Sequence, residues 1–146
     1  MPSPQTVFQI QGSPVQPDGG VTDLKLSIST DEVRSELWGS WGTTTRLKEI
    51  FASELRSASE VVDQFDQIAV LEWIRTHGRE CQGAGSALLE RFLDLARSSG
   101  VKVVFARFYG DEAEAASINV MDWYEKRGFH RVPGTGVGDP LLVKPL

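Results

Sequence analysis

Apolar and polar residues alternate over Val21–Ser29, with Leu24, Leu26 and Ile28 on one side and Asp23, Lys25 and Ser27 on the other. A period of two is that of a half-buried β-strand. Val7–Gln11 reads as a shorter strand. The stretch between them, Ser13–Gly20, holds two prolines and the turn sequence Pro17-Asp18-Gly19-Gly20, so the two strands can pair as a hairpin. Thr30–Thr45 carries two periods at once. Val33–Trp38 suits a strand, but Ser29 and Glu32 form a capping box, and Val33, Leu37 and Trp41 recur at helical spacing. The balance tips to a helix. Arg46–Phe65 then shows one apolar stripe of Leu47, Ile50, Phe51, Leu55, Ala58, Val61, Val62 and Phe65, with Thr44 or Thr45 placed to cap it. That pattern predicts a single amphipathic helix.

The chain is organised around Ile68–Gly100. Ile68–Thr76 is rich in β-branched and aromatic residues and predicts a strand. A polar loop, His77–Gln82, leads to Gly83-Ala84-Gly85, and from Ser86 the residues Leu88, Leu89, Phe92, Leu93, Leu95 and Ala96 fall at helical spacing. Gly100 stands where a helix C-terminal glycine is expected. Strand, glycine loop and helix in this order aim unpaired backbone N–H groups and the positive end of a helix dipole at an anion. Bare glycine lets a phosphate approach the backbone, so a phosphate-bearing ligand is expected at Gln82–Ser86. A tight turn without a ligand is the other reading of the same glycines. No Lys follows them and no third glycine stands at dinucleotide-fold spacing, which excludes two better-known phosphate loops. Beyond, Val101–Phe108 predicts a strand and Asp111–Arg127 a helix ended by Gly128. Phe129–Val132 and Leu141–Lys144 predict closing strands joined by the loop Pro133–Pro140.

At 146 residues the chain is one domain, residues 1–146, large enough to bury a core without staples. A net charge of −5 argues against a nucleic-acid partner, although Lys126, Arg127, His130 and Arg131 form a local basic group. The lone Cys81 excludes an internal disulfide framework and suits a reducing compartment. No leader and no apolar run of membrane length is read, so a cytoplasmic protein without a membrane partner is expected. With two His and one Cys there is no metal-ligand spacing, and no metal is expected.

Gly83 and Gly85 resemble motif A of the GNAT superfamily, the acetyl-CoA-dependent N-acetyltransferases, written Gln/Arg-x-x-Gly-x-Gly/Ala. Ser86-Ala87-Leu88-Leu89 is similar to that family's helix start, and Glu80 stands where the family has Gln or Arg. Asp122-Trp123-Tyr124-Glu125-Lys126-Arg127-Gly128-Phe129 resembles the family's late helix, with Ser117 seven residues before Tyr124. The two motifs cover roughly the C-terminal half. The resemblance implies a mixed α/β fold, with a mostly antiparallel sheet of about six or seven strands flanked by helices. The N-terminal half, residues 1–66, is atypical, because a long helix there directly precedes the central strand.

The resemblance further implies acetyl-CoA as cosubstrate and a primary amine as acceptor, in a small molecule or on a protein Lys or N-terminus. Ile74, Thr76, Gln82, Gly83, Ala84, Gly85, Ser86 and Ser117 would bind the cofactor, with a backbone N–H around Ile74–Thr76 holding the oxyanion. Tyr124 would protonate the departing thiolate. The amine must lose a proton, and Glu72 is the candidate base: an acid inside an apolar strand has its pKa raised by burial. Glu72 facing solvent, or paired with Arg75 or Arg107, is the alternative, and His77 is a second base candidate. A homodimer stays open. The rival function is a catalytically inactive GNAT-fold module that binds or inhibits another protein; Trp38 and Trp41 beside a glycine could mark its contact surface, and core packing is the other reading of most of the tryptophans.

Overall fold

A computed structural model of the chain describes residues 9–16, 20–30, 33–78, 83–107, 120–133 and 141–146. Strand β1 (Val21–Ser29) has the expected bounds, and Leu24, Leu26 and Ile28 are all buried. Strand β2 (Val33–Thr43) occupies the stretch expected to be helical. The reason is geometric. Residues four apart share a strand face as well as a helix face, so Val33, Leu37 and Trp41 fit both. Tertiary pairing decides for the strand: β2 bonds to β1 from Arg34↔Ser29 to Gly42↔Val21 and to a third strand on its other side.

Among the described residues, the chain before β1 pairs with it at isolated bridges, Gln11↔Ser27 and Val15↔Asp23, both antiparallel. A ragged edge therefore stands where the Val7–Gln11 strand was expected, and Val7 and Phe8 lie outside the described residues.

After β2 the single helix expected over Arg46–Phe65 is replaced by short pieces. These are α1 (Thr44–Ile50), α2 (Ala52–Leu55), a 3₁₀ turn (Arg56–Ala58) and α3 (Ser59–Val62). The break falls at Phe51, whose φ of −111° and ψ of 44° lie outside the helical region. The apolar stripe survives it, since Leu47, Phe51, Leu55, Ala58 and Val62 are all buried. The cap of α1 is Thr43, one residue before the expected pair, and its hydroxyl accepts from the Arg46 N–H. Thr44 instead donates to the Phe65 carbonyl, and its N–H bonds to Asp66 O at 2.9 Å. Both ends of the helical excursion are thereby tied together.

Strand β3 (Gln67–Gly78) leads to α4 (Ala84–Ser98), which starts two residues before Ser86 and is followed by Gly100 at φ 89°. Then come β4 (Val103–Arg107), α5 (Val120–Glu125), β5 (His130–Arg131) and β6 (Leu141–Pro145). The expected helix Asp111–Arg127 is described from Val120 on, and the Pro133–Pro140 loop lies almost wholly outside the described residues.

The strands form one six-stranded sheet in the order β1-β2-β3-β4-β6-β5, parallel only between β3 and β4. A parallel pair needs a crossover, and α4 supplies it. One face of the sheet packs Leu24, Leu26, Ile28, Leu37, Trp41, Ala69 and Leu71 against α4 and α5. The other packs Val21, Ile68, Val70, Val103 and Phe105 against α1–α3. Gly39 lets α4 sit close: a Cβ there would lie 2.4 Å from Phe92 Cε2. Among the described residues no helix is long and apolar enough to cross a membrane.

Candidate functional site

Glu72 sits where the β2–β3 register slips. Gly39 pairs with Leu71 and Trp38 with Trp73, which leaves Glu72 as an extra residue on β3. A bulge of this kind bends its strand and re-aims the side chain. At the same residue β3 and β4 part. Parallel pairing joins Ala69, Val70 and Leu71 to Val104, Phe105 and Ala106, yet β3 continues to Gly78. Among the described residues no strand pairs with the β4-facing edge of β3 beyond Leu71. Ladder and bulge thus meet toward the carboxyl ends of these two strands, the end at which α/β sheets form ligand crevices.

The N-terminus of α4 opens at that same end. Gly83 precedes it with φ 79° and ψ 9°, a left-handed conformation that a side chain would strain. Gly83 has no side chain to cap the helix and the first turn holds no acidic residue, so α4 itself does not neutralise its positive end. A cation stands there as well. Arg127, just past α5, donates through Nη2 to Ser86 Oγ at 2.6 Å and through Nη1 to Trp123 O at 2.9 Å. Its guanidinium lies 4.0 Å from the centroid of the Trp123 ring. Burial lowers the Arg127 pKa and Glu90 raises it. A guanidinium beside the positive end of a helix favours an anion between them.

The opposite face of the sheet carries a cleft of about 500 Å³ between β1, β2, β3 and the α1–α2 junction. Glu72 and Asp23 line it, as do Lys25, Trp38 and Ser40. Burial holds the Glu72 carboxyl above its ordinary value of 4.5; Asp23 adds to the rise, Arg107 opposes it and Glu54 adds least. Neither arginine named as a partner for Glu72 is committed to it alone. Arg107 lies 3.0 Å from Glu54, and Arg75 lies 4.7 Å from the Trp73 ring centroid. Asp23 is held by Ser40, whose hydroxyl donates to Oδ1 at 2.8 Å.

Of the expected site residues, Gly83, Ala84, Gly85 and Ser86 form the start of α4, and Tyr124 lies on α5 in the core on the α4 side of the sheet. Tyr124 is 6% exposed, edge-on to Trp123 at 5.1 Å and to Phe129 at 5.3 Å. Ile74 packs against the core on the α4 side, and Thr76 lies on β3 opposite Ser35. Glu72 lines the cleft on the other face. Gln82 and Ser117 lie outside the described residues, as do Glu80 and Cys81. Of the two tryptophans expected at a contact surface, Trp41 is buried and Trp38 is 37% exposed. Sequence reasoning missed the roles of Asp23 and Arg127. Alternation placed Asp23 opposite Leu24 but not toward Glu72, and Arg127 read only as one of a basic group. Among the described residues no three His, Cys, Asp or Glu are grouped to hold a metal ion.

No family model matches the chain, and no curated protein matches it in sequence. Among solved structures, it is similar to a 1.85 Å crystal structure of a candidate GNAT-family acetyltransferase from Desulfovibrio desulfuricans. That similarity has a TM-score of 0.51 and 21% identity, over 87% of this chain and 69% of the other. The fold is GNAT-like. The expected mixed sheet flanked by helices is therefore present. In this GNAT-like sheet the helical excursion sits between β2 and β3, immediately before the central strand.

Proposed function

We propose that this chain is an N-acetyltransferase that moves the acetyl group of acetyl-CoA onto a primary amine by direct attack. One observation carries the reading above the others: in a GNAT-like sheet, the described β3–β4 ladder ends at the Glu72 bulge, and α4 starts from left-handed Gly83 at the carboxyl end of β3. The residues fit the cosubstrate. Leading N–H groups of α4 at Gly83–Ser86, with Arg127 behind Ser86, suit a pyrophosphate. Gln82 and Ser117 complete that set, and Ile74 and Thr76 line the arm along β3. When bound, acetyl-CoA supplies an activated acyl thioester. Glu72 takes the proton from the acceptor ammonium, directly or through a water, so that a neutral nitrogen attacks. A backbone N–H of Ile74–Thr76 donates to the carbonyl oxygen as it gains charge. Tyr124 gives its hydroxyl proton to the leaving sulfur.

A ligand that binds only the folded state raises its apparent stability, by about 2.7 kcal/mol at a hundred times Kd. Acetyl-CoA is therefore expected to raise the melting temperature in a titration, and no shift at millimolar concentration overturns the proposal. Tyr124→Phe is expected to slow acetyl transfer about a hundredfold while leaving that shift in place. Equal rates in variant and parent remove Tyr124 from the mechanism.

The second reading is an inactive GNAT-fold module that binds another protein. It draws on Trp38, a large apolar side chain 37% exposed on the open face. The same titration separates the two, because a module without a cofactor site shows no acetyl-CoA shift.

A further inference from the structure

The cleft on the α1–α2 face carries its own chemistry, and reading it deepens the proposal above by naming a class of acceptor. Its volume of about 500 Å³ lies within the range of small-molecule sites. Two carboxylates line it from strands two places apart in the sheet, Asp23 on β1 and Glu72 on β3. Neighbouring strands lie about 4.8 Å apart, so the two backbones stand roughly 10 Å from each other.

Asp23 is preorganised: the hydroxyl of Ser40, itself 4% exposed, fixes one carboxylate oxygen. Trp38 forms the wall beside it, and that ring already takes an ammonium. Lys25 Nζ lies 4.9 Å from the centroid of the Trp38 ring. The built-in lysine thus marks the kind of group that this wall and carboxylate suit. The remaining charges nearby, Arg107 and Glu54, are paired with each other.

We propose that the cleft takes a small acceptor bearing two amino groups some 5 to 7 bonds apart, roughly the reach between carboxyl groups on strands that far apart. Asp23 and Trp38 hold one group as a cation, and the other lies at Glu72. The held ammonium stays protonated and does not react. The group at Glu72 gives its proton to that carboxylate, and its nitrogen forms the C–N bond as the C–S bond of the thioester breaks. The electron pair leaves on sulfur, which takes the Tyr124 hydroxyl proton, and the second proton that the attacking nitrogen sheds returns to the Tyr124 oxygen.

Calorimetric titration without acetyl-CoA tests the assignment. The probes are 1,4-diaminobutane and 1,6-diaminohexane against n-butylamine and n-hexylamine, on the parent, Asp23→Asn and Lys25→Gln. The diamines are expected to bind on the order of tenfold tighter than monoamines of equal length, about 1.4 kcal/mol. Asp23→Asn is expected to erase that margin, and Lys25→Gln, which removes the competing ammonium, to widen it. Equal binding of the two amine types, a margin that survives in Asp23→Asn, a margin narrowed by Lys25→Gln, or no heat from any amine overturns the proposal. Lys25 is an exposed side chain, so its variant keeps the test decisive even if Asp23→Asn fails to fold. A diamine that binds yet is never acetylated sinks the transferase reading and leaves the cleft assignment standing. An acetyl-CoA shift with no amine binding does the reverse.

Discussion

The two faces of the sheet are closed in different ways. Over one lies α4, a continuous helix of 15 residues that buries Leu88, Leu89, Phe92, Leu93 and Ala96 against β1, β2 and β3. Over the other lie α1, α2, a 3₁₀ turn and α3, which bury Leu47, Phe51, Leu55, Ala58 and Val62 around one end of the sheet only. Asp23, Lys25, Trp38 and Glu72 line the cleft left beside them. The long helix supplies cohesion and an anion-facing terminus. The broken one leaves a cleft in which Asp23, Lys25 and Glu72 stand beside the apolar Trp38, Ile50 and Phe51.

Side-chain truncation should expose this difference most strongly. Phe92 is fully buried and lies against Gly39 and Trp41, so Phe92→Ala is expected to cost about 3–5 kcal/mol. Leu55→Ala, in the short pieces, is expected near the low end of its range, about 2 kcal/mol, because separate turns can collapse around the gap. Urea midpoints measure both, and a Leu55 loss equal to that at Phe92 would dissolve the contrast. Gly39→Ala comes next. Its Cβ would meet Phe92 Cε2 at 2.4 Å, an overpacking worth about 1–3 kcal/mol. Combined with Phe92→Ala it should cost clearly less than the sum of the two; strict additivity would mean that the ring does not rest on the glycine.

The smallest effect concerns the open face. Burial raises the Glu72 pKa above 4.5, so the folded chain keeps that proton to higher pH than the unfolded chain does. Below pH 4.5 both states are protonated and the group costs nothing. As pH rises from there, ionisation is harder in the folded state and stability is lost, until the folded pKa is passed and the loss is constant. Glu72→Gln is therefore expected to melt above the parent at neutral pH, with the gap closing as pH falls toward 4.5. A gap that is reversed, or equal at both pH values, would mean that the carboxylate is well solvated.

Elements that satisfy one period alone could be read from the chain. Val21–Ser29 alternates strictly, and Leu88, Leu89, Phe92, Leu93 and Ala96 fit only a helix, so β1 and α4 lie where expected. β2 could not be read, because its apolar residues are spaced by four and only hydrogen bonds from β1 and β3 choose between periods. The breaks in Arg46–Phe65 were equally hidden: no Gly or Pro marks them, and the stripe reads the same with or without them. At the site, an acid inside an apolar strand singled out Glu72. The bulge that aims it depends on a neighbouring strand. The contact of Arg127 with Ser86 spans 41 residues, and only the packing of α5 against α4 brings the two together.

The short seam between β3 and β4 has a consequence for how the molecule assembles. β1 and β2 are neighbours in sequence and can zip from the pair Ser29↔Arg34 onward. β4 reaches β3 only after the chain has wound through all of α4, and its reward is the ladder at Ala69–Leu71. Long-range parallel pairing incurs its loop-closure entropy before it gains contacts. The two halves of the sheet are therefore expected to join late, and the line along which ligands are proposed to enter is also the last to be stitched.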